Sequence, residues 1–167
     1  MRTAIVVGNP KADSRTLRVA LAVADALERR LGGSSDRLVV DLAEVATELF
    51  DPDSQRVNGL LEAVAASTLI VVASPTFKAT YTGLLKSFLD RYGTNALSGA
   101  VAVAVMTGAA PIHALAPEVH LRPLLVELGA ATPARSLYVT EQQFDDLDAV
   151  IGVWADVAGP LIARALS

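Results

Sequence analysis

The chain contains no cysteine. That excludes a disulfide scaffold, thiolate metal sites and cysteine nucleophiles. With only two histidines besides, a transition-metal site has few ligands to draw on. Aromatic residues make up 5% of the sequence, with one Trp, three Tyr and four Phe. Ala, Val and Leu must therefore build the core, and a flat ligand must be held with few rings. The net charge is −4, and no stripe of Lys or Arg appears, so duplex nucleic acid is not an expected partner. Long hydrophobic runs are also missing at the N-terminus, where Met1–Gly8 is too short for a signal peptide. Gly93 to Pro117 carries no formal charge. It contains polar residues, Ala and Gly, and reads better as a buried strand and a loop than as a membrane span. A cytoplasmic protein without a membrane partner is expected.

What is present is apolar and regular. Hydrophobic residues are 52% of the 167, too many for disorder and enough for one domain over 1–167 without staples. Short β-branched runs alternate with helical patterns. Strands are expected at Thr3–Val7, Leu38–Leu42, Thr68–Ala73, Ala100–Met106 and Ser136–Thr140. Helices are expected at Ser14–Leu31, Val57–Ala66, Gly83–Arg91, Pro117–Leu128 with an internal Pro123, and from Asp145, its cap, to the C-terminus. Gly32-Gly33 suits a left-handed cap after the first helix. In the last helix Leu147, Val150, Ile151, Trp154, Val157, Leu161 and Ala165 mark the expected buried stripe, and Pro160 should kink it. In the fourth strand Val101, Val103 and Val105 alternate with Ala, so one face is bulky and the other admits close helix approach. The alternation implies a three-layer α/β/α sandwich around a five-stranded parallel sheet, order 2-1-3-4-5, with ligands at the strands' carboxyl ends.

Three loops lie at those ends. The first, Gly8–Thr16, opens a helix whose N-terminus offers free N–H groups and partial positive charge. Asn9, Lys11, Ser14, Arg15 and Thr16 add amide, hydroxyl and cationic donors that suit a phosphate dianion. Ser14 alone would also serve as a plain N-cap. Asp13, repulsive to phosphate, should face solvent. The loop is neither GxGxxG nor GxxxxGK[ST]. The second loop segment, from Ala73 to Asp90, is stiffened by Pro75 and has Gly83 to permit close approach before the next helix. The third, Thr107–His113, is made of small residues whose N–H groups can meet a ring edge.

These loops resemble those of the NAD(P)H-dependent FMN reductase family, a flavodoxin-like family. Gly8–Thr16 is similar to its G-S-P-R-x-x-S-x-[ST] phosphate loop. Ala73–Asp90 resembles [AS]-[ST]-P-x-[YF]-x-x-x-Y-[ST]-G-x-[LM]-K-x-x-[LI]-D, and Thr107–Pro123 resembles T-G-G…H-x-L…L-[KR]-P. The nearest subgroup is the two-component type that supplies reduced FMN to sulfonate monooxygenases. The resemblance implies FMN with its phosphate on Asn9, Lys11, Ser14, Arg15 and Thr16. It implies a ring edge met by Pro75, Thr76, Phe77, Lys78, Thr107, Gly108 and Ala109, with His113 either nearby or making a structural hydrogen bond. Asn9, Lys11, Phe77 and Ala109 replace the family's usual Ser, Arg, Tyr and Gly.

Hydride transfer from NADPH or NADH to FMN is thus the expected activity, with no catalytic acid or base and no metal. An FMN-containing reductase of quinones, azo compounds or metal oxyanions is an alternative, and a flavodoxin-type electron carrier a second. The family also implies a homodimer or homotetramer, with Tyr81, Leu84, Leu85, Phe88 and Tyr92 as candidate interface residues, and a monooxygenase partner. His120 is either an interface or flavin-transfer residue or an ordinary surface one. Trp154 is expected in the core.

Overall fold

The computed structural model describes residues 1–33 and 36–167. Five parallel strands form one sheet in the order β2-β1-β3-β4-β5: β1 Arg2–Val7, β2 Asp36–Asp41, β3 Leu69–Pro75, β4 Val101–Gly108 and β5 Leu137–Thr140. All four pairings are parallel, as expected from the alternation of strands and helices. The helices are α1 Arg15–Arg30, α2 Gln55–Ala65, α3 Gly83–Leu89, α4 Arg122–Glu127 and α5 Leu147–Leu166.

Strand alternation sorts the core into two layers. Ile5, Val7, Val71, Val103 and Val105 face α1 and α5, while Ala4, Val6, Ile70, Val72, Ala102, Ala104 and Met106 face α2, α3 and α4. The bulky and small faces of β4 thus serve opposite layers. The central strand β3 is buried at every position, as a strand covered on both sides must be. The charge-free stretch 93–117 resolves into a loop, the buried β4 and a short 3-10 turn at Pro111–His113.

Local chemistry sets the helix ends. Ser14 and Ser54 cap α1 and α2 by accepting from Leu17 N at 3.1 Å and Val57 N at 3.2 Å. Gly32 and Gly33 both take positive φ after α1, with Gly33 N bonded to Glu28 O at 2.8 Å. The helix expected at Pro117–Leu128 is in fact two pieces. Pro117–Leu121 is a wide π-type turn and α4 begins only at Arg122. Pro123 has no N–H to donate back one turn, and its ring crowds that carbonyl; the wide turn just before it removes both problems.

Helix α5 also departs from expectation. It starts at Leu147, with Asp146 rather than Asp145 in the cap position and no side-chain cap bond. A 3-10 turn at Glu141–Phe144 precedes it, closed by a capping box between Thr140 and Gln143. Its buried stripe is Leu147, Ile151, Ala155, Ala158, Gly159 and Ile162; Val157 is 70% exposed and Leu161 39%. Small residues win the inner positions because α5 lies close on its neighbours: a methyl on Gly159 would sit 3.2 Å from Arg30 Cδ. The helix runs unbroken through Pro160. Its twenty residues, with an 18-residue window of mean hydropathy 1.5, make it long and apolar enough to cross a membrane by length and composition. Here it packs on α1, tied by Arg30 to Asp156 at 2.5 Å. Trp154 is half-buried against the same layer and donates to Arg135 O at 2.8 Å.

The wide turn is pinned from outside. Glu118 accepts from Ser136 N at 2.7 Å and Arg122 Nη1 at 2.9 Å. Arg122 also donates to Thr132 Oγ1 and Thr132 O. Burial pushes the Glu118 carboxyl up, but the Ser136 N–H, the Arg122 hydrogen bond and the charges of Arg122 and Arg135 outweigh it and hold it below its ordinary value. A carboxyl lowered in the folded state stabilises the fold above the unfolded glutamate range, and that contribution is lost as pH falls through the lowered native value. Glu118→Gln should therefore flatten the acid limb of a plot of melting temperature against pH; an unchanged limb would contradict the assignment.

A second expectation concerns Gly8. A methyl there would lie 2.4 Å from Leu85 Cβ, a buried atom held in α3. Gly8→Ala should destabilise by about 1–3 kcal/mol, as overpacking does, measurable by chemical denaturation.

Candidate functional site

The carboxyl ends of β1, β3 and β4 open onto one cavity of about 380 Å³, within the ~300–1,000 Å³ range of small-molecule sites. It is lined by Asn9, Lys11, Asp13, Ser14, Arg15, Thr16, Pro75, Thr76, Phe77, Thr107, Gly108, Ala109, Glu141 and Phe144. Eleven of the thirteen residues singled out in the sequence are on this wall.

Hydrogen bonds fix the first loop internally. Asn9 turns it, accepting from Lys11 N at 2.9 Å through Oδ1 and donating from Nδ2 to Thr16 Oγ1 at 3.1 Å. Asp13 takes φ 52°, a left-handed conformation that short polar residues tolerate. Its backbone N–H is held by the carboxylate of Asp41, at the end of β2, which also accepts from Ala43 N at 3.2 Å. Burial raises the Asp41 carboxyl above its ordinary value despite these two bonds. Asp13 itself is exposed, yet it borders the cavity.

Ser14 reconciles two readings of the loop. Its oxygen accepts from Leu17 N as a cap, and its own hydroxyl hydrogen is left over to donate into the cavity. Thr16 behaves differently. It is 1% exposed, and its Oγ1 lies 2.9 Å from Thr107 Oγ1. The side chain bridges the first loop to the third.

The second and third loops are joined by the Thr76 N–H, which donates to Thr107 O at 2.7 Å. Thr76 Oγ1 is buried without a partner. Gly108 lies under Tyr138, whose hydroxyl donates to Ala110 O at 3.0 Å. A methyl on Gly108 would fall 2.1 Å from that oxygen, so a larger residue there would require the Tyr138 ring to shift. Sequence reasoning did not single out Tyr138; its place on β5, beside β4, was the available signal.

Two expected residues are not on the cavity wall. Lys78 and Ala79, both with positive φ, form the tip of a tight turn between Phe77 and Thr80, which bond to each other in both directions. That two-residue turn carries the Lys78 side chain out to solvent. His113 is half-buried in the 3-10 turn after β4, away from the wall, and His120 is exposed on the wide turn. Of the interface candidates, Leu85 and Phe88 are fully buried and Tyr81, Leu84 and Tyr92 pack half-buried against the same core. Burial raises the Tyr92 hydroxyl pKa, and the group donates to Leu61 O at 3.0 Å.

Glu141 and Phe144 were not anticipated. They come from the 3-10 turn after β5, outside any motif. Arg15 Nη2 meets Glu141 Oε1 at 2.6 Å, and the guanidinium carbons of Arg15 and Arg18 lie 5.7 and 5.9 Å from the Phe144 ring centre. The charged residues on the wall cancel: Lys11 and Arg15 against Asp13 and Glu141.

The donor set fits a flavin phosphate at the first loop and a flat ring against the second and third. Its polar groups are neutral hydroxyls, backbone N–H groups and two cations. Among the described residues no group of three or more His, Asp or Glu could hold a metal ion.

Comparison with known proteins agrees. Residues 1–145 match the model of a family described as NADPH-dependent FMN reductase. The chain is 33% identical to an NADH-dependent FMN reductase, SfnF, of Pseudomonas putida, over 87% of this chain and 80% of that protein. It is 31% identical to an FMN reductase (NADPH) of Pseudomonas aeruginosa, over 93% and 89%. The crystal structure of an NADH:FMN oxidoreductase, EMOB, in its apo form superposes with TM-score 0.85 at 26% identity, covering 99% of this chain and 90% of that one. An archaeal flavodoxin shares the fold at TM-score 0.62 and 19% identity. With the family model spanning most of its length and these relatives covering nearly all of it, the chain belongs to the NADPH-dependent FMN reductase family.

Proposed function

We propose that this cavity binds FMN and that the protein moves a hydride onto it from NADPH or NADH. The observation that carries the reading is the placement of Ser14, with a hydroxyl hydrogen to spare, at the start of α1 on the wall it shares with the small-residue loop Thr107–Ala109. Ser14, Lys11, the Asn9 amide and the N–H groups opening α1 would hold the phosphate. Arg15 is available only in part, since Glu141 already occupies one of its nitrogens. Thr16 acts through Asn9 and Thr107, orienting them rather than touching the phosphate.

Bound there, FMN supplies a two-electron acceptor, and the chain need add no acid or base. The task of the protein is orientation. Pro75 and Phe77 wall the second loop, and the buried Thr76 hydroxyl is a donor in want of an acceptor. Backbone N–H groups of Thr107–Ala109 would face the ring edge where negative charge develops. Phe77 is 51% exposed, and Ile112, Leu115 and Val119, on the segment that leaves the third loop, are 82%, 59% and 56% exposed. These apolar residues support a homodimer or homotetramer in which a second copy covers the site. A cytoplasmic setting, with reduced flavin passed on to a monooxygenase, is the biological role we infer.

Under anaerobic conditions, NADPH or NADH added to protein and FMN should bleach the flavin's visible absorbance, and in air should be oxidised with steady turnover. Tight FMN binding with no nicotinamide oxidation would instead favour an electron carrier. Lys11→Ala combined with Ser14→Ala should weaken FMN by about tenfold or more, because charge-assisted bonds are lost, and leave riboflavin nearly unaffected. Equal losses for both flavins would reject the phosphate site.

A further inference from the structure

We infer that Glu141 competes with the ligand phosphate for Arg15 and so sets how tightly the flavin is held. This rests on the FMN reading above and assigns a role to a residue outside the three loops.

The pairing has four features that fit a built-in competitor. First, Glu141 Oε1 lies 2.6 Å from Arg15 Nη2, and both residues line the cavity. The cation that follows Ser14 is thus already bonded to a carboxylate. Second, the backbone turn that carries Glu141 is closed from its own side. Glu141 opens the 3-10 turn 141–144, whose capping box has the Thr140 N–H donating to Gln143 Oε1 at 2.9 Å. Third, the same turn is gripped by α1 one helical turn further on. Arg18 Nη2 reaches Phe144 O at 3.5 Å, and the ring of Phe144 lies within 6 Å of both guanidinium groups. Fourth, the balance of charge on the wall is zero, and Glu141 is what makes it so: without it Lys11 and Arg15 would outnumber Asp13.

An incoming dianion meets three alternatives here. It can take Arg15 from Glu141, share the guanidinium with a like-charged neighbour, or forgo Arg15. Each lowers affinity relative to a loop with a free arginine. Riboflavin carries no phosphate and meets none of them. The ion pair is solvent-exposed, 64% at Arg15 and 48% at Glu141, so the penalty is small, and small is enough to tune release.

The test is direct titration of FMN and of riboflavin, by quenching of flavin fluorescence, against the wild-type protein and three variants. Glu141→Gln keeps the shape and removes the charge. It should bind FMN about two- to fivefold more tightly, the range spanned by exposed ion pairs, with riboflavin unchanged. Arg15→Ala should weaken FMN, and in the Arg15→Ala background the gain from Glu141→Gln should shrink. An unchanged or weaker FMN affinity in Glu141→Gln overturns the proposal, as does a gain that persists in full without Arg15. Glu141→Ala, checked for folding by circular dichroism, repeats the measurement should the glutamine retain the contact. A wild-type protein that binds the two flavins equally would reject the phosphate site itself, a result distinct from failure of the competition.

Discussion

Thr82 Oγ1 donates to Gly8 O at 2.5 Å, and much of the carboxyl edge of the sheet depends on that buried bond. Thr82 stands at the N-cap of α3, where its oxygen also accepts from Leu85 N. Its backbone N–H donates to Ser74 Oγ, which in turn donates to Pro75 O. One residue, through its hydroxyl and its backbone N–H, therefore ties the end of β1, the end of β3 and the start of α3 together. The tie is possible only because Gly8 lets α3 approach to contact distance. A second chain, Asn9 to Thr16 to Thr107, repeats the device between the first and third loops. Both chains are made of neutral groups, whose burial is tolerable once each is hydrogen-bonded. The three loops around the cavity are thus clamped to one another by neutral groups, and the charged side chains on the wall take no part in either clamp.

That division explains which parts of the molecule were legible in the sequence. The sheet was, because β1, β3 and β4 are apolar at nearly every position and only a strand between two helix layers tolerates that. The cavity wall was largely legible because a ligand site on such a sheet must lie at the strands' carboxyl ends. The burial of Thr16 against Thr107 was not. Nothing in the spacing distinguishes a hydroxyl aimed at a ligand from one aimed at Thr107, 91 residues away. Lys78, expected at the ring edge, lies off the cavity wall for a backbone reason: a tight turn with two left-handed residues points its tip to water, and neither residue is the glycine or asparagine that would advertise it.

Helix α5 was misread for a different reason. Its outer face carries Val153, Val157 and Leu161, as apolar as its inner face. Periodicity cannot choose between two apolar faces. The better signal was size: Ala155, Ala158 and Gly159 mark where a neighbour comes close. The break before α4 had a visible cause in Pro123, but the bond from Ser136 N to Glu118 that pins the preceding turn is a contact no local pattern encodes.

Electrostatics ties these elements to what the protein does. A hydride acceptor that stays bound calls for a deep, complementary anchor, whereas one that is exchanged calls for recognition without a trap. In the proposed site the phosphate would meet oriented neutral donors, which act on geometry and are little weakened by salt, together with Lys11. The formal charges on the wall nearly cancel and sit at its exposed rim, where screening makes each worth little. The acidic partner in that balance comes from the turn after β5, across β3 and β4 from the first loop's own strand, so the fold brings Glu141 to Arg15 across the cavity mouth rather than within the loop. Affinity can then shift through the turn after β5 while the hydroxyl clamps, and the orientation they impose, stay as they are.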